Sequence, residues 1–223
     1  MRSPPRPARS LTRLLAVCAL AGVAAGCSSP SRYVQKPASL VVNDAITAMW
    51  ADEVRRVAQE GDWLLARSYS LAGDAIVSLT SGEEISHGAV YDLERDMIIE
   101  AMTPVVREKP LEHFLARNRY VIVVRPRGQD AAARHQTVVR ARSVIGAPFD
   151  ITGMLGLGRP EAFYCSEMLY WASGLDAIDP QRIITPAELL QHGEVVYFSG
   201  RRDDDQMVRA AAGWAEAHAV VRR

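Results

Sequence analysis

Cys165 is the residue from which the chemistry of this sequence has to be read. The chain holds three cysteines, and the other two, Cys18 and Cys27, fall within the first 27 residues. A thiol alone in the remainder has no disulfide partner, which leaves two uses for it: a small buried hydrophobe or a nucleophile. Its setting is Phe163-Tyr164-Cys165-Ser166-Glu167-Met168, and Met168, Leu169 and Ala172 follow it at i+3, i+4 and i+7. That spacing predicts a helix that begins at Cys165 and turns it toward the core. A cysteine at a helix start meets free backbone N–H groups and the positive end of the dipole, both of which favour thiolate. The same N–H groups are suited to holding an oxyanion.

A nucleophilic thiol needs a base, and five histidines compete for that role. His113 and His135 sit in helical segments among charged neighbours, His192 is in a turn beside Gly193, and His218 is near the C-terminus. Solvated or capping roles suit all four. His87 differs, because Ser86-His87-Gly88-Ala89-Val90-Tyr91 places it at the mouth of a predicted strand with small residues beside it. A third group would fix the imidazole tautomer. Glu100, in Met97-Ile98-Ile99-Glu100-Ala101, lies in the second strand of the same predicted hairpin, nearly opposite His87. A core histidine and an outward-facing glutamate are the bland alternatives. An acid amid Ile98, Ile99 and Ala101 is costly to bury unpaired, which favours a partner. Zinc is disfavoured, since no Cys-x-x-Cys or His-x-x-x-His spacing accompanies these three residues; no phosphate loop follows a strand, and no cofactor is expected.

The elements that must carry these residues follow from periodicity. A helical stripe covers residues 40–58, and Trp63-Leu64-Leu65 reads as a buried strand. Residues 68–83 read as a helix ending at Gly82, followed by strands at 86–91, 97–102 and 120–125. A short amphipathic helix is expected at 110–117 and a longer one at 130–145. Residues 147–160 form a loop rich in Gly and Pro. After the Cys165 helix, Thr185 and Pro186 predict an N-cap and first turn of another short helix. A strand at 195–198 and a helix at 204–221 complete the chain. The fold class is α+β, an antiparallel sheet packed against helices.

The first 26 residues hold Arg2, Arg6, Arg9 and Arg13 with no acid, then a short apolar run over residues 14–23. That run is too short to span a bilayer and has a signal peptide's flanks. Ala24-Ala25-Gly26-Cys27 resembles a bacterial lipobox, with Ala24 where Leu is commonest. The resemblance implies a lipoprotein signal over residues 1–26, diacylation of Cys27 after cleavage and a polar tether over residues 27–38 ahead of a single domain at 39–223. Two or more acyl chains anchor stably where one does not. Ser28 and Ser29, with no Asp after the cysteine, favour the outer membrane facing the periplasm, if the envelope has two. Without the signal, 26 acids outnumber 22 basic groups, a net charge of about −4, which argues against nucleic acid as a partner.

Six segments taken in order resemble the permuted branch of the NlpC/P60 papain-like superfamily, the YiiX-like or YaeF-like group. They are Gly61-Asp62-Trp63-Leu64-Leu65, Ser86-His87-Gly88-Ala89-Val90 and Ile99-Glu100-Ala101, then Ile145-Gly146-Ala147-Pro148-Phe149-Asp150, Tyr164-Cys165-Ser166-Glu167-Met168 and Thr185-Pro186-Ala187-Glu188-Leu189. In that group the histidine precedes the cysteine, as here. The resemblance implies a circularly permuted papain-like fold with Cys165 as nucleophile, His87 as base and Glu100 as the polar third member. Phe149 stands where a Tyr is frequent, so no phenol hydrogen bond is available there. Phe149, Asp150 and Tyr164 are expected at the substrate pocket. The implied activity is amide or ester hydrolysis through an acyl-enzyme. The apolar loop residues Phe149, Ile151, Met154, Leu155 and Leu157 favour acyl or lipid-linked substrates over peptidoglycan stem peptides. A non-catalytic, lipid-binding lipoprotein is the reading from a different class.

Overall fold

The computed structural model describes residues 29–79, 84–175 and 182–221. Helix α1 spans Leu40–Val57, capped by the Ser39 hydroxyl, which accepts from the Val42 N–H at 3.3 Å. Strand β1 is Trp63–Ser68, α2 is Leu71–Leu79, and the hairpin strands β2 and β3 are His87–Asp92 and Met97–Met102. Strand β4 follows at Val105–Pro110, then α3 at Leu111–Ala116, β5 at Asn118–Pro126 and α4 at Ala131–Ser143. A 3₁₀ turn at Gly153–Leu155 lies in the long loop before α5, Cys165–Ala172. A second 3₁₀ turn at Glu188–His192, β6 at Gly193–Phe198 and α6 at Asp205–Val221 close the order.

The six strands form one antiparallel sheet in the order β4-β3-β2-β1-β5-β6. Central β1 is covered on both faces, which explains its unbroken apolar run. Leu64 and Ala66 join Ala89, Tyr91, Ile98, Val121 and Val123 beneath α1, α3 and α6. Trp63 and Leu65 join Val90, Ile99 and Val124 on the opposite face, beneath α4 and α5. The mixed α+β class with helices packed on an antiparallel sheet is therefore the observed one. Buried Arg202 ties the chain after β6 to both α1 and α3. Its guanidinium donates to the carbonyls of Asn43 (2.7 Å), Leu115 (2.8 Å) and Asn118 (3.2 Å) and lies 4.6 Å from the Trp50 ring centroid. Among the described residues, no helix is long and apolar enough to cross a membrane.

Three expectations need correction. Residues Val105–Pro110 carry strand β4, which the alternation did not signal. As an edge strand it buries only Val106, and Arg107, Glu108 and Lys109 mask its period with the charge that edges carry. The helix expected from Thr185 is only a 3₁₀ turn that starts three residues later. Thr185 still acts as a cap, its hydroxyl accepting from the Glu188 N–H at 3.1 Å. The helix placed at 68–83 begins at Leu71, and its expected end at Gly82 lies outside the described residues, as do residues 1–28 with Cys27.

Candidate active site

Cys165 is the first residue of α5, and the extended backbone of Tyr164 (φ −98°, ψ 169°) turns the chain into the helix. The thiol is buried, and Met168, Leu169 and Ala172 pack below it against the sheet as their spacing predicts. Gly88 makes this approach possible. A Cβ there would lie 3.0 Å from a Leu169 methyl and 3.1 Å from a Leu65 methyl. The helix start is further stitched to the segment before Thr185. Ser166 donates to the Ile184 carbonyl at 2.6 Å, and the Tyr164 phenol accepts from the Ile184 N–H at 2.8 Å.

His87 opens β2 and is hydrogen-bonded to both Cys165 and Glu100. Its Nε2 lies 2.7 Å from Glu100 Oε2, which leaves Nδ1 as the ring atom for the thiol. The imidazole rests against Phe114, with ring centroids 5.7 Å apart. Glu100 is wholly buried and serves three cations: His87, Arg107 through a 3.0 Å bond to Oε1, and Arg117 through Oε2. Both guanidinium groups also donate to the Met102 sulfur, at 3.0 Å from Arg107 and 2.7 Å from Arg117.

The electrostatics follow from these contacts. Burial opposes ionisation of Cys165, but the hydrogen bond and charge of His87, with the N–H groups of Ser166 and Gly88, hold the thiol below its usual value. Burial would likewise depress His87; its bonds to Cys165 and Glu100 more than offset this and raise it. Glu100 is held far below the usual carboxylate range, because His87, Arg117 and Arg107 together outweigh its desolvation. Both shifts favour a thiolate facing an imidazolium, with an ionised carboxylate behind them.

A cavity of about 350 Å³ opens at Cys165. Its wall is apolar, built from Ile76 of α2, Met154 and Leu155 of the long loop, and Ile183, Ile184 and Pro186; Tyr164, Ser166 and Thr185 complete it. Of the residues expected at the substrate pocket, Tyr164 lines this cavity, whereas Phe149 and Asp150 do not. Phe149 packs with the core beneath α4 and α5. Asp150 is buried and organises the loop, accepting from the Thr152 hydroxyl (2.7 Å) and the N–H groups of Gly153 (2.9 Å) and Arg159 (2.8 Å). These bonds overcome its burial and hold its carboxyl low. Behind Cys165, Glu167 accepts from the Tyr164 N–H at 3.3 Å. Burial, assisted by the charge of Asp150, pushes its carboxyl up to about 7.

The structure brings Cys165, His87 and Glu100 together and leaves the other four histidines elsewhere. His135 faces Glu60 and His192 faces Glu188, while His218 stacks on Trp214. His113 is depressed by partial burial and the charge of Arg117. Sequence reasoning missed Arg107 and Arg117. Arg107 is directly cross-strand from Glu100 and was legible once β4 is recognised. Arg117 follows α3, and no spacing in the sequence marks it. Among the described residues, no group of three or more His, Cys, Asp or Glu side chains converges to hold a metal ion.

Residues 57–200 match the family described as permuted papain-like amidase enzymes, YaeF/YiiX, C92 family. The chain belongs to that family, whose description makes it one of amidases, a class of hydrolases. Its solved structural neighbours include a crystal structure described as metalloprotein YiiX from Escherichia coli O157:H7, at 20% identity and a TM-score of 0.44. That match covers 52% of this chain and 65% of the neighbour, so less than two thirds of its length is spanned. No curated protein matches the chain.

Proposed function

We propose that this chain is a lipid-anchored cysteine hydrolase of the cell envelope that cleaves acyl or lipid-linked amides and esters through a Cys165 acyl-enzyme. The observation that carries the reading is the apolar cavity ending at the thiol, which has no basic residue among the described residues of its wall. A stem peptide would need placed cations for its carboxylates, whereas an acyl chain needs apolar walls alone.

The Cys165 thiolate attacks the acyl carbon while N–H groups at the start of α5, released from the sulfur as it bonds to carbon, hold the developing oxyanion. As the C–N or C–O bond breaks, the His87 imidazolium gives its proton to the leaving amine or alcohol. Water then attacks the thioester and returns a proton to His87; the C–S bond breaks, releasing the acid and the thiolate. Glu100 keeps the imidazole oriented through Nε2 and remains ionised throughout. Cys27 is the residue assigned to the anchor, and the outer membrane facing the periplasm is the assigned location.

Incubating the protein separately with N-acyl or O-acyl substrates and with muropeptides tests this. Mass spectrometry should find an acyl adduct on Cys165 and none in Cys165→Ala. Cys165-dependent release of peptide fragments without acyl transfer would replace this reading with a peptidoglycan endopeptidase. A Cys27→Ser variant should lose the acyl groups and membrane retention; unchanged mass and retention would rule out the anchor.

A further inference from the structure

The segment read as a polar tether is seated on the domain from its first described residue, Ser29. The Ser29 carbonyl accepts from the Leu71 N–H at 2.9 Å, and Pro30 bridges Ser70. The Ser31 hydroxyl and the Arg32 N–H donate to the two oxygens of Asp74, at 2.6 and 2.8 Å. Asp74 is itself paired with buried Arg67 at 2.5 Å. This clasp fixes the point where the chain enters the domain, at the start of α2 and two positions after Cys27. Ile76, which lines the cavity, lies only about 8 Å along the axis of α2 from Leu71. A chain of hydroxyls, Ser70 to Ser68 (2.9 Å) and Ser68 to Ser86 (3.2 Å), leads from the clasp to the residue beside His87.

The same end of the molecule exposes large apolar side chains. Leu155 and Ile183 line the cavity yet are 68% and 46% exposed, so they form its rim. Leu157, two residues on, is 69% exposed. The intervening Gly156 takes φ 75°, a left-handed turn suited to glycine, and the Leu157 N–H returns to the Thr152 carbonyl at 3.0 Å. Large exposed apolar groups at a cavity mouth mark a surface that something covers.

We infer that this rim is a bilayer-docking surface. Leu155, Leu157 and Ile183 enter the acyl region of the leaflet that holds the anchor, and substrate acyl chains pass from that leaflet into the cavity. The inference rests on the anchoring of Cys27 proposed above, because an anchor two residues from the clasp brings this end of the domain to the membrane. Charge plays a minor part. The arginines beside the rim residues are already paired, Arg159 with Asp150 at 3.8 Å and Arg182 with Glu188 at 2.5 Å, so the rim docks by apolar insertion and resists salt.

The test uses the lipidated protein carrying Cys165→Ala in vesicles of phosphatidylethanolamine and phosphatidylglycerol. A single polarity-sensitive label is attached through Leu157→Cys or, as control, Val195→Cys. Val195 is 52% exposed and pairs with Val124 opposite Trp63, the end of β1 away from His87. Lipids brominated in the acyl chain should quench the label at 157 and spare that at 195, equally at low salt and at about 0.5 M salt. With Cys27 acylated by mass, equal quenching at both positions, or quenching at 157 lost in high salt, overturns the docking surface alone. Cys27 found unmodified overturns the anchor, and the inference falls with it. In the active protein, Leu157→Glu should lower turnover of vesicle-borne acyl substrate about tenfold and leave a soluble short-chain ester unaffected. Equal loss on both substrates would place Leu157 in the chemistry instead and overturn the inference.

Discussion

His87 and Glu100 share one face of the β2–β3 hairpin but are two residues out of register, and a 2.7 Å hydrogen bond spans the diagonal. The ladder pairs Asp92 with Met97, Tyr91 with Ile98 and Val90 with Ile99. Continuing it sets Ala89 opposite Glu100, with His87 further along on the same side. A directly opposed pair would crowd a histidine against a carboxylate that already serves two arginines. The offset leaves Arg107, the true cross-strand neighbour, to hold Oε1 while His87 takes Oε2.

Glu100 therefore balances two guanidinium groups as well as holding the His87 ring. Glu100→Ala leaves Arg107 and Arg117 unopposed beside His87 and should cost about 3 kcal/mol in urea unfolding, the usual scale for breaking a buried ion pair. It should also move the alkaline limb of kcat/KM to lower pH, because the carboxylate that raises His87 is gone. Glu100→Gln keeps a hydrogen bond and should damage turnover less than Cys165→Ala. Wild-type activity in both Glu100 variants would mean another group holds the imidazole.

Thiolate character is the direct signature of the pair. Burial alone would raise Cys165, and only the bond and charge of His87 with two backbone N–H groups bring it down. The rate of alkylation should reach half its plateau at a pH below ~8.5, the free-thiol value. His87→Ala should move that midpoint up by more than a unit. A midpoint that ignores His87→Ala would reduce Cys165 to a buried structural residue.

Much of this arrangement is legible in the residues themselves. Cys165 as the lone thiol after residue 27, the core spacing of Met168, Leu169 and Ala172, and the small residue after His87 all predict contacts that exist. Arg107 was hidden because its strand is an edge with one buried side chain, Val106, too little for alternation to register, and Arg117 because it sits just past the end of α3, where no period applies. Asp150 is expected at the pocket, but nothing in a one-dimensional pattern distinguishes a carboxylate that faces a ligand from one that gathers its own loop's N–H groups. Tertiary contact with Thr152, Gly153 and Arg159 decided it.

Gly88 sets how closely α5 meets β2. A methyl there would sit 3.0 and 3.1 Å from the ends of Leu169 and Leu65, both flexible, so Gly88→Ala should fold with a loss of about 1 kcal/mol or a little more. Displacing the helix would also weaken the bond from the Gly88 N–H to the thiolate. The variant should therefore lose kcat more than its stability loss implies. Thermal unfolding and turnover on the same preparation separate the two, and unchanged kcat would show that the helix position is not critical.

Glu167 supplies a pH dependence of stability. Its folded carboxyl titrates at about 7 against an ordinary value of 4.5, so the folded chain binds the extra proton between those limits. Stability from this residue is present below about 4.5 and declines as pH rises through 7. Glu167→Gln should thus gain on the wild type as pH is raised from 5 to 8 in paired denaturant titrations. A difference that stays flat across that range would show that the carboxyl is ionised in the fold.

The loop that shapes the cavity depends on Asp150, and its loss should separate binding from chemistry. Three donors converge on this buried carboxylate, and two of them, the N–H groups of Gly153 and Arg159, bracket Met154 and Leu155. Asp150→Ala leaves those N–H groups without a partner, at a cost of about 1–3 kcal/mol, and frees the segment that forms one wall. Cys165 and His87 stand on α5 and β2, outside the loop, so the pH profile of alkylation should not move. KM for long acyl substrates should rise several-fold while kcat for a short-chain ester holds. Asp150→Asn, which keeps one acceptor oxygen, should fall between the wild type and Asp150→Ala. If instead both variants shift the alkylation midpoint, the loop is coupled to the thiol, and Asp150 belongs with the residues that tune it.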